Sequence, residues 1–283
     1  MKKTLLVLTT IISSMTFAQD CADLFISEYA EGWSNNKAIE IYNPTANPIV
    51  LDAYMIIRYS NGATTATAAN AVQLTGTVAP YDVYVATLDK RDPNGIDFEA
   101  PIWDELQAVT DGFYCPVYNT TNAMYFNGDD AVVLARGTVS DIPNSQLIDV
   151  FGKIGEDPGA AWTSTAPHNT GLGDEVTKDH SMIRKSTILT GITNPIITVF
   201  NPLLDYDSIP AVIVDGTGAQ VGNWGSLGTH DCACNPVGLS EITEQSISIY
   251  PNPSNGNFEV KGANDFVSIS VFNTLGQEIK SIK

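Results

Sequence analysis

Short runs in which apolar and polar side chains alternate recur along most of this chain. They include Leu24 to Tyr29, Ala38 to Tyr42, Tyr54 to Tyr59, Asp82 to Ala86, Ala131 to Leu134 and Gln146 to Phe151. β-branched and aromatic residues dominate them, and their length suits strands rather than helices. Asn43-Pro44, Asn61-Gly62, Asp92-Pro93-Asn94-Gly95, Asn127-Gly128 and Asp157-Pro158-Gly159 supply the turns between them. Many short strands punctuated this way predict an all-β chain folded as a sandwich. Two stretches break the pattern. Phe98 to Thr110 predicts a short helix after Pro101, with Trp103, Leu106 and Val109 or Ala108 turned inward, and residues 163–180 read as a long loop.

The two ends differ from the middle. Lys2 and Lys3, the apolar run Thr4 to Ile12, and small residues at Thr16 and Ala18 give the order of a secretory signal, with cleavage after Ala18. The apolar run is too short to span a bilayer, which needs roughly 20 residues. From the other end, Asn235 to Gln245 is polar and turn-forming, a linker, and Val267, Ile269 and Val271 alternate with Ser268 and Ser270 as in a half-buried strand. The expected organisation is therefore a signal at 1–18, a main domain at 19–234, a linker at 235–245 and a small module at 246–283. The net charge of −18 repels phosphate backbones, so no nucleic-acid partner is expected. Charged residues at 16% against 43% hydrophobic exclude a disordered chain.

The C-terminal segment carries Tyr250-Pro251-Asn252-Pro253, then Gly256, an alternating strand, and Val271, Asn273 and Leu275-Gly276-Gln277. It closely resembles the sorting domain of the type IX secretion system. The resemblance implies a small β-sandwich that addresses cargo, by way of the periplasm, to an outer-membrane translocon as partner. Two strand pairs alone cannot close a core, which predicts further chain beyond Lys283. The larger unit resembles the lamin-tail domain of secreted bacterial proteins. The resemblance rests on Leu24 to Tyr29, Asn35 to Asn43, Tyr59-Ser60-Asn61-Gly62, Phe126 to Leu134, Asp149-Val150-Phe151-Gly152, Arg184-Lys185 and Trp224 to His230. It implies an immunoglobulin-like sandwich and no catalysis.

Four groups of residues hold candidate chemistry. Cys21, Cys115, Cys232 and Cys234 form an even set in an oxidising compartment. Cys232 and Cys234 are too close to bond each other, so Cys21 is expected to pair with one of them and Cys115 with the other. Asp129 and Asp130, with Glu28, Glu31 and Glu40 among the N-terminal strands, are the candidates for calcium, since hard cations take clustered oxygens. No other cofactor is indicated. His168, His180 and His230 lack metal spacing and read as exposed loop residues. Trp33, Trp103, Trp162 and Trp224 lie in or beside loops, where rings could stack on a sugar or anchor a protein.

These signals add up to a secreted or surface-held, non-catalytic binding or structural module that does not span the membrane. Its partners are expected to be an extracellular protein or a glycan. Two other readings fit the chain: an accessory to an extracellular nuclease or hydrolase, and a divalent-metal hydrolase whose acids converge only in the fold.

Overall fold

The computed structural model describes residues 20–235, 248–252, 254–257, 259–261 and 269–282. The expected signal segment, with the expected cleavage position Ala18, lies outside the described residues, as do most of the expected linker and Pro253. The chain divides into two compact units, Met1–Asn235 and Pro236–Lys283.

In the first unit the alternating runs become β1 (Phe25–Glu31), β2 (Lys37–Tyr42), β4 (Tyr54–Tyr59), β7 (Val83–Leu88), β9 (Ala131–Arg136) and β10 (Gln146–Phe151). Shorter strands join them: β3 (Ile49–Val50), β5 (Ala71–Gln73), β6 (Thr77–Val78), β8 (Gly112–Tyr114), β11 (His180–Arg184), β12 (Tyr206–Pro210), β13 (Val212–Val214) and β14 (Gln220–Gly222). One sheet has the order β12-β11-β1-β2-β7-β8 and the other β10-β9-β4-β5. All these pairs are antiparallel except β7 with β8. The fold is thus the all-β sandwich expected from the strand pattern, of the immunoglobulin-like type that the resemblance implies.

Period-two alternation decides which side chains meet between the sheets. Ile39, Ile41, Ala86 and Leu88 from the first sheet pack with Ile56, Val132 and Leu134 from the second. Ile57, Val133 and Val150 point the other way and are covered by Ile142, Ile154 and Ile192. The segment predicted as a helix forms α1 (Asp104–Ala108). Leu106 is buried, with Trp103 and Val109 partly buried beside Val85 on the outer face of the six-stranded sheet.

Two bulges interrupt the alternation. In β1 the register shifts between Ile26 and Glu28, so Ile26 and Tyr29 both reach the inter-sheet core while Glu28 lies opposite Glu40 on the outer face. In β10 the shift falls between Leu147 and Asp149, which sets Asp149 opposite the core residue Leu134. A bulge re-aims a side chain in this way at the cost of a local ladder bond. Asp149 consequently meets Arg184 of β11 at 2.5 Å with both side chains fully buried. Its carboxylate also accepts from the backbone N–H groups of Ile26 and Ile192, while Arg184 donates to the Ile26 and Thr190 carbonyls and the Tyr206 hydroxyl. This network joins the two sheets where β1 passes β10.

In the second unit β15 (Ser248–Tyr250) pairs with β16 (Glu259–Lys261), and β17 (Ile269–Phe272) with β18 (Glu278–Ile282). The Asn273 side chain accepts from Leu275 N and Gln277 N, and Gly276 takes φ +79°, a left-handed angle that glycine adopts without a Cβ penalty. The turn chemistry of Asn273-Thr274-Leu275-Gly276 therefore forms a hairpin.

Candidate functional site

Residues 223–235 cross the outer face of the six-stranded sheet as a strap. Trp224 and Leu227 pack on Ala30, Ala38 and Val85, and His230 sets its ring against Phe25 and Tyr42. The strap ends in a disulfide between Cys234 and Cys21, whose Cα atoms are 5.6 Å apart. Cys232 is not bonded to Cys115. Both thiols are free and buried, Cys115 in the inter-sheet core and Cys232 against Phe25 and Tyr42. The expected second disulfide is therefore corrected: the two cysteines belong to different packing clusters.

Beneath the strap lie Glu28 and Glu40, facing each other across β1 and β2 and almost wholly buried. Ser226 donates to Glu28 Oε1 at 3.0 Å, Gly228 N donates to Glu40 Oε2 at 2.7 Å, and Ser27 donates to Glu40 Oε1 at 2.7 Å. Burial raises the Glu28 carboxyl to about 7, with Ser226 and Ser181 opposing. Burial raises Glu40 to about 8, with Ser27 opposing and Glu28 adding to the rise. Desolvation disfavours the ionised form, so near neutral pH this pair holds protons that exposed glutamates would have lost. Their fold-level neighbours Ser27, Ser181 and Ser226 carry no charge, and the strap contributes no cation to balance them.

The other acids are placed differently. Glu31 pairs with Lys37, away from Glu28 and Glu40. Asp130 accepts from the N–H groups of Asn61 and Asn127 and lies 3.8 Å from Arg58, so it serves as the fastening of a turn. Asp129 is buried, one of its oxygens has no partner, and burial followed by the nearby Asp130 raises its carboxyl to about 6. Among the described residues no group of three or more His, Cys, Asp or Glu is placed to hold a metal ion. Of the histidines, His168 is buried with Nδ1 2.8 Å from the Thr163 carbonyl, His180 opens β11, and His230 is packed under aromatic rings. The exposed-loop expectation is corrected for His168 and His230, because the strap and the 163–175 turn fold onto the sheet.

The tryptophans divide. Trp162 is fully buried against Phe200, and Trp224 is buried between the strap that carries it and the sheet, so neither offers a ring to a ligand. This corrects the expected surface role for both. Trp33 and Trp103 remain accessible, and the chain draws them together. Asn36 accepts from Trp103 N at 2.8 Å and donates to the Trp33 carbonyl at 2.7 Å, while Asn35 donates to the Phe98 and Ala100 carbonyls. Trp103 stands edge-on to Trp224 at 5.5 Å, which fixes its plane. Beside it two shallow hollows share Arg91. One of about 460 Å³ is lined by Pro93, Pro101, Trp103, Asp104, Glu105 and Gln107, and one of about 270 Å³ by Asp89, Lys90, Asp92, Glu99 and Pro116. A held aromatic ring beside amide and carboxylate groups can pack an apolar surface and fix its orientation by hydrogen bonds.

Residues 18–154 match the Lamin Tail Domain family, and residues 248–283 match the Secretion system C-terminal sorting domain family. No curated protein matches the chain. A solved DUF4876 family protein from Bacteroides thetaiotaomicron VPI-5482 is similar at 14% identity, covering 71% of this chain and 75% of that one, with a TM-score of 0.34. The sorting-domain match places this chain among proteins handled by a secretion system and destined for secretion or the cell surface. Among the described residues no helix is long and apolar enough to cross a membrane.

Proposed function

We propose that this lamin-tail-domain protein, which carries a type IX C-terminal sorting domain, works outside the cell as a non-catalytic binding module. It would reach the outer surface through the periplasm and the translocon, and meet an extracellular protein or glycan through the face around Trp33 and Trp103. The observation that supports this reading is the pair of hollows around Arg91, where a fixed Trp103 ring stands beside hydrogen-bonding groups on the surface of the sandwich. The acids with the largest upward displacement, Glu28 and Glu40, are instead sealed beneath the strap and do not open onto either hollow.

The test compares the intact chain with Trp103→Ala on a glycan array and against candidate surface proteins. Loss of a specific signal in the variant, with unchanged thermal unfolding of the sandwich, is the expected result. Hydrolysis of ester or phosphodiester substrates by the wild type with added divalent ions would overturn the non-catalytic assignment.

A further inference from the structure

The loop from Asp92 to Glu99 raises two large apolar side chains into water on the face just described. Phe98 is 87% exposed and Ile96 75%, and Trp33, two residues before the Asn35 that holds the Phe98 carbonyl, is 38% exposed. Water disfavours such exposure, and contiguous apolar patches on a surface mark contact sites. The loop is nevertheless firmly built. Gly95 N donates to the Asp92 carbonyl and Glu99 N to the Ile96 carbonyl, closing a tight coil. Any Cβ at Gly95 would fall 1.8 Å from the Glu99 carbonyl oxygen, so the coil requires glycine there. Lys90 grips it from below, donating to Glu99 at 2.5 Å and to the Pro116 carbonyl at 2.8 Å, and Asn35 holds the Phe98 and Ala100 carbonyls. Packing and hydrogen bonds thus hold apolar tips outward in one arrangement.

Charge around those tips is one-sided. Both local cations are already engaged, Lys90 by Glu99 and Arg91 by Asp89 at 2.7 and 3.1 Å. Asp92, Asp97, Asp104 and Glu105 are exposed and have no cationic partner among the described residues. Asp104 and Glu105 gain something from the helix end they occupy, but Asp92 and Asp97 lie outside α1. The same stretch of chain thus carries exposed apolar tips and four acids without a cationic partner among the described residues, and complementary potential selects partners of the opposite sign.

We propose that this face is a docking surface for a basic protein segment whose Lys or Arg residues alternate with large apolar side chains. The apolar groups would pack on Phe98, Ile96 and Trp33, and the cations would pair with Asp92, Asp97, Asp104 and Glu105. The proposal rests on the binding reading above and names the chemistry of the partner.

The experiment titrates the full chain with a synthetic peptide alternating Arg with Leu and Phe, and with its Glu-for-Arg counterpart, by calorimetry at low and high salt. The basic peptide should bind and the acidic one should not, with affinity falling as salt rises. Phe98→Ser and the triple variant Asp97→Asn, Asp104→Asn, Glu105→Gln should each weaken binding about tenfold or more, as loss of an interface anchor does. Asp52→Asn with Asp207→Asn, two exposed acids elsewhere on the sandwich, should leave it unchanged. Peptide binding indifferent to Phe98→Ser and to the triple variant would overturn the proposal, since it would reflect only the chain's overall charge. Binding of a neutral glycan that Trp103→Ala abolishes, without any for the basic peptide, would keep the binding reading and overturn this partner. Ligands of both classes indifferent to Phe98→Ser and Trp103→Ala would overturn both.

Discussion

The buried pair Glu28 and Glu40 makes the stability of the sandwich depend on pH in a specific direction. Each carboxyl is raised in the folded protein from 4.5, to about 7 for Glu28 and about 8 for Glu40. Between those limits the folded chain keeps protons that the unfolded chain has released, so stability falls as pH rises through the window and levels off above pH 8. His230 acts with the opposite sign lower down, because burial and then Arg184 hold it near 4 and stability rises as it loses its proton toward 6.5. The clean window for the carboxyls is therefore above pH 6.5. Over pH 6.5 to 8, Glu40 alone should cost about 2 kcal/mol, at roughly 1.4 kcal/mol per pH unit, and Glu28 adds a smaller amount before it levels off. Glu40→Gln tests this, since an amide at that position can accept from Gly228 N and donate to the Ser27 hydroxyl while carrying no charge. Urea unfolding of the wild type at pH 6.5, 7.2, 8 and 9 should show the decline, and the variant should keep less than half of it. A wild-type stability that stays flat over this range, or a decline that Glu40→Gln leaves whole, would refute the reasoning.

Three further outcomes follow from the packing. Removing the Cys21–Cys234 bridge with Cys21→Ser opens a closed loop with a sequence separation of 213; it should lower stability by about 5 kcal/mol in the chain-entropy account, measured by chemical denaturation. A thiol reagent should titrate two cysteines, Cys115 and Cys232, in unreduced protein after denaturation and almost none before; four would contradict the bridge. Asp149→Asn leaves Arg184 buried beside a weaker partner and should cost about 3–5 kcal/mol, whereas the exposed change Ile96→Ser should stay within about 0.5 kcal/mol; similar midpoints for the two would contradict the network.

Alternation made β2 legible in the sequence, with Ile39 and Ile41 inside and Glu40 outside, whereas β4 and β9 were legible by length and β-branched content, since both of their faces are apolar and covered. It failed at Glu28 and Asp149, since each follows a bulge that moves a side chain to the opposite face without any mark in a period-two pattern. Glu28 and Glu40 stood out in the sequence as candidate acids, but not as a pair: they are twelve positions apart and become neighbours only once the register is fixed. The cysteines showed a related limit. Spacing excludes a bond between Cys232 and Cys234, but which of them meets Cys21 depends on how the strap runs over Phe25 and Tyr42. Of the four tryptophans, Trp103 carried a partial signal through its place at the start of an amphipathic turn. Phe98 and Ile96 carried none, because an apolar residue in a loop reads as a core residue until its backbone is seen turning outward.

The bridge between Cys21 and Cys234 also fixes how the first unit responds to tension. A pull applied at Asp20 and Asn235, just outside the bridged cysteines, runs through one covalent link across 5.6 Å instead of through the intervening strands. Drag or adhesion at a cell surface would then load the sulfur bond while the sheets between stay slack, and reduction of that bond would be what exposes them to force.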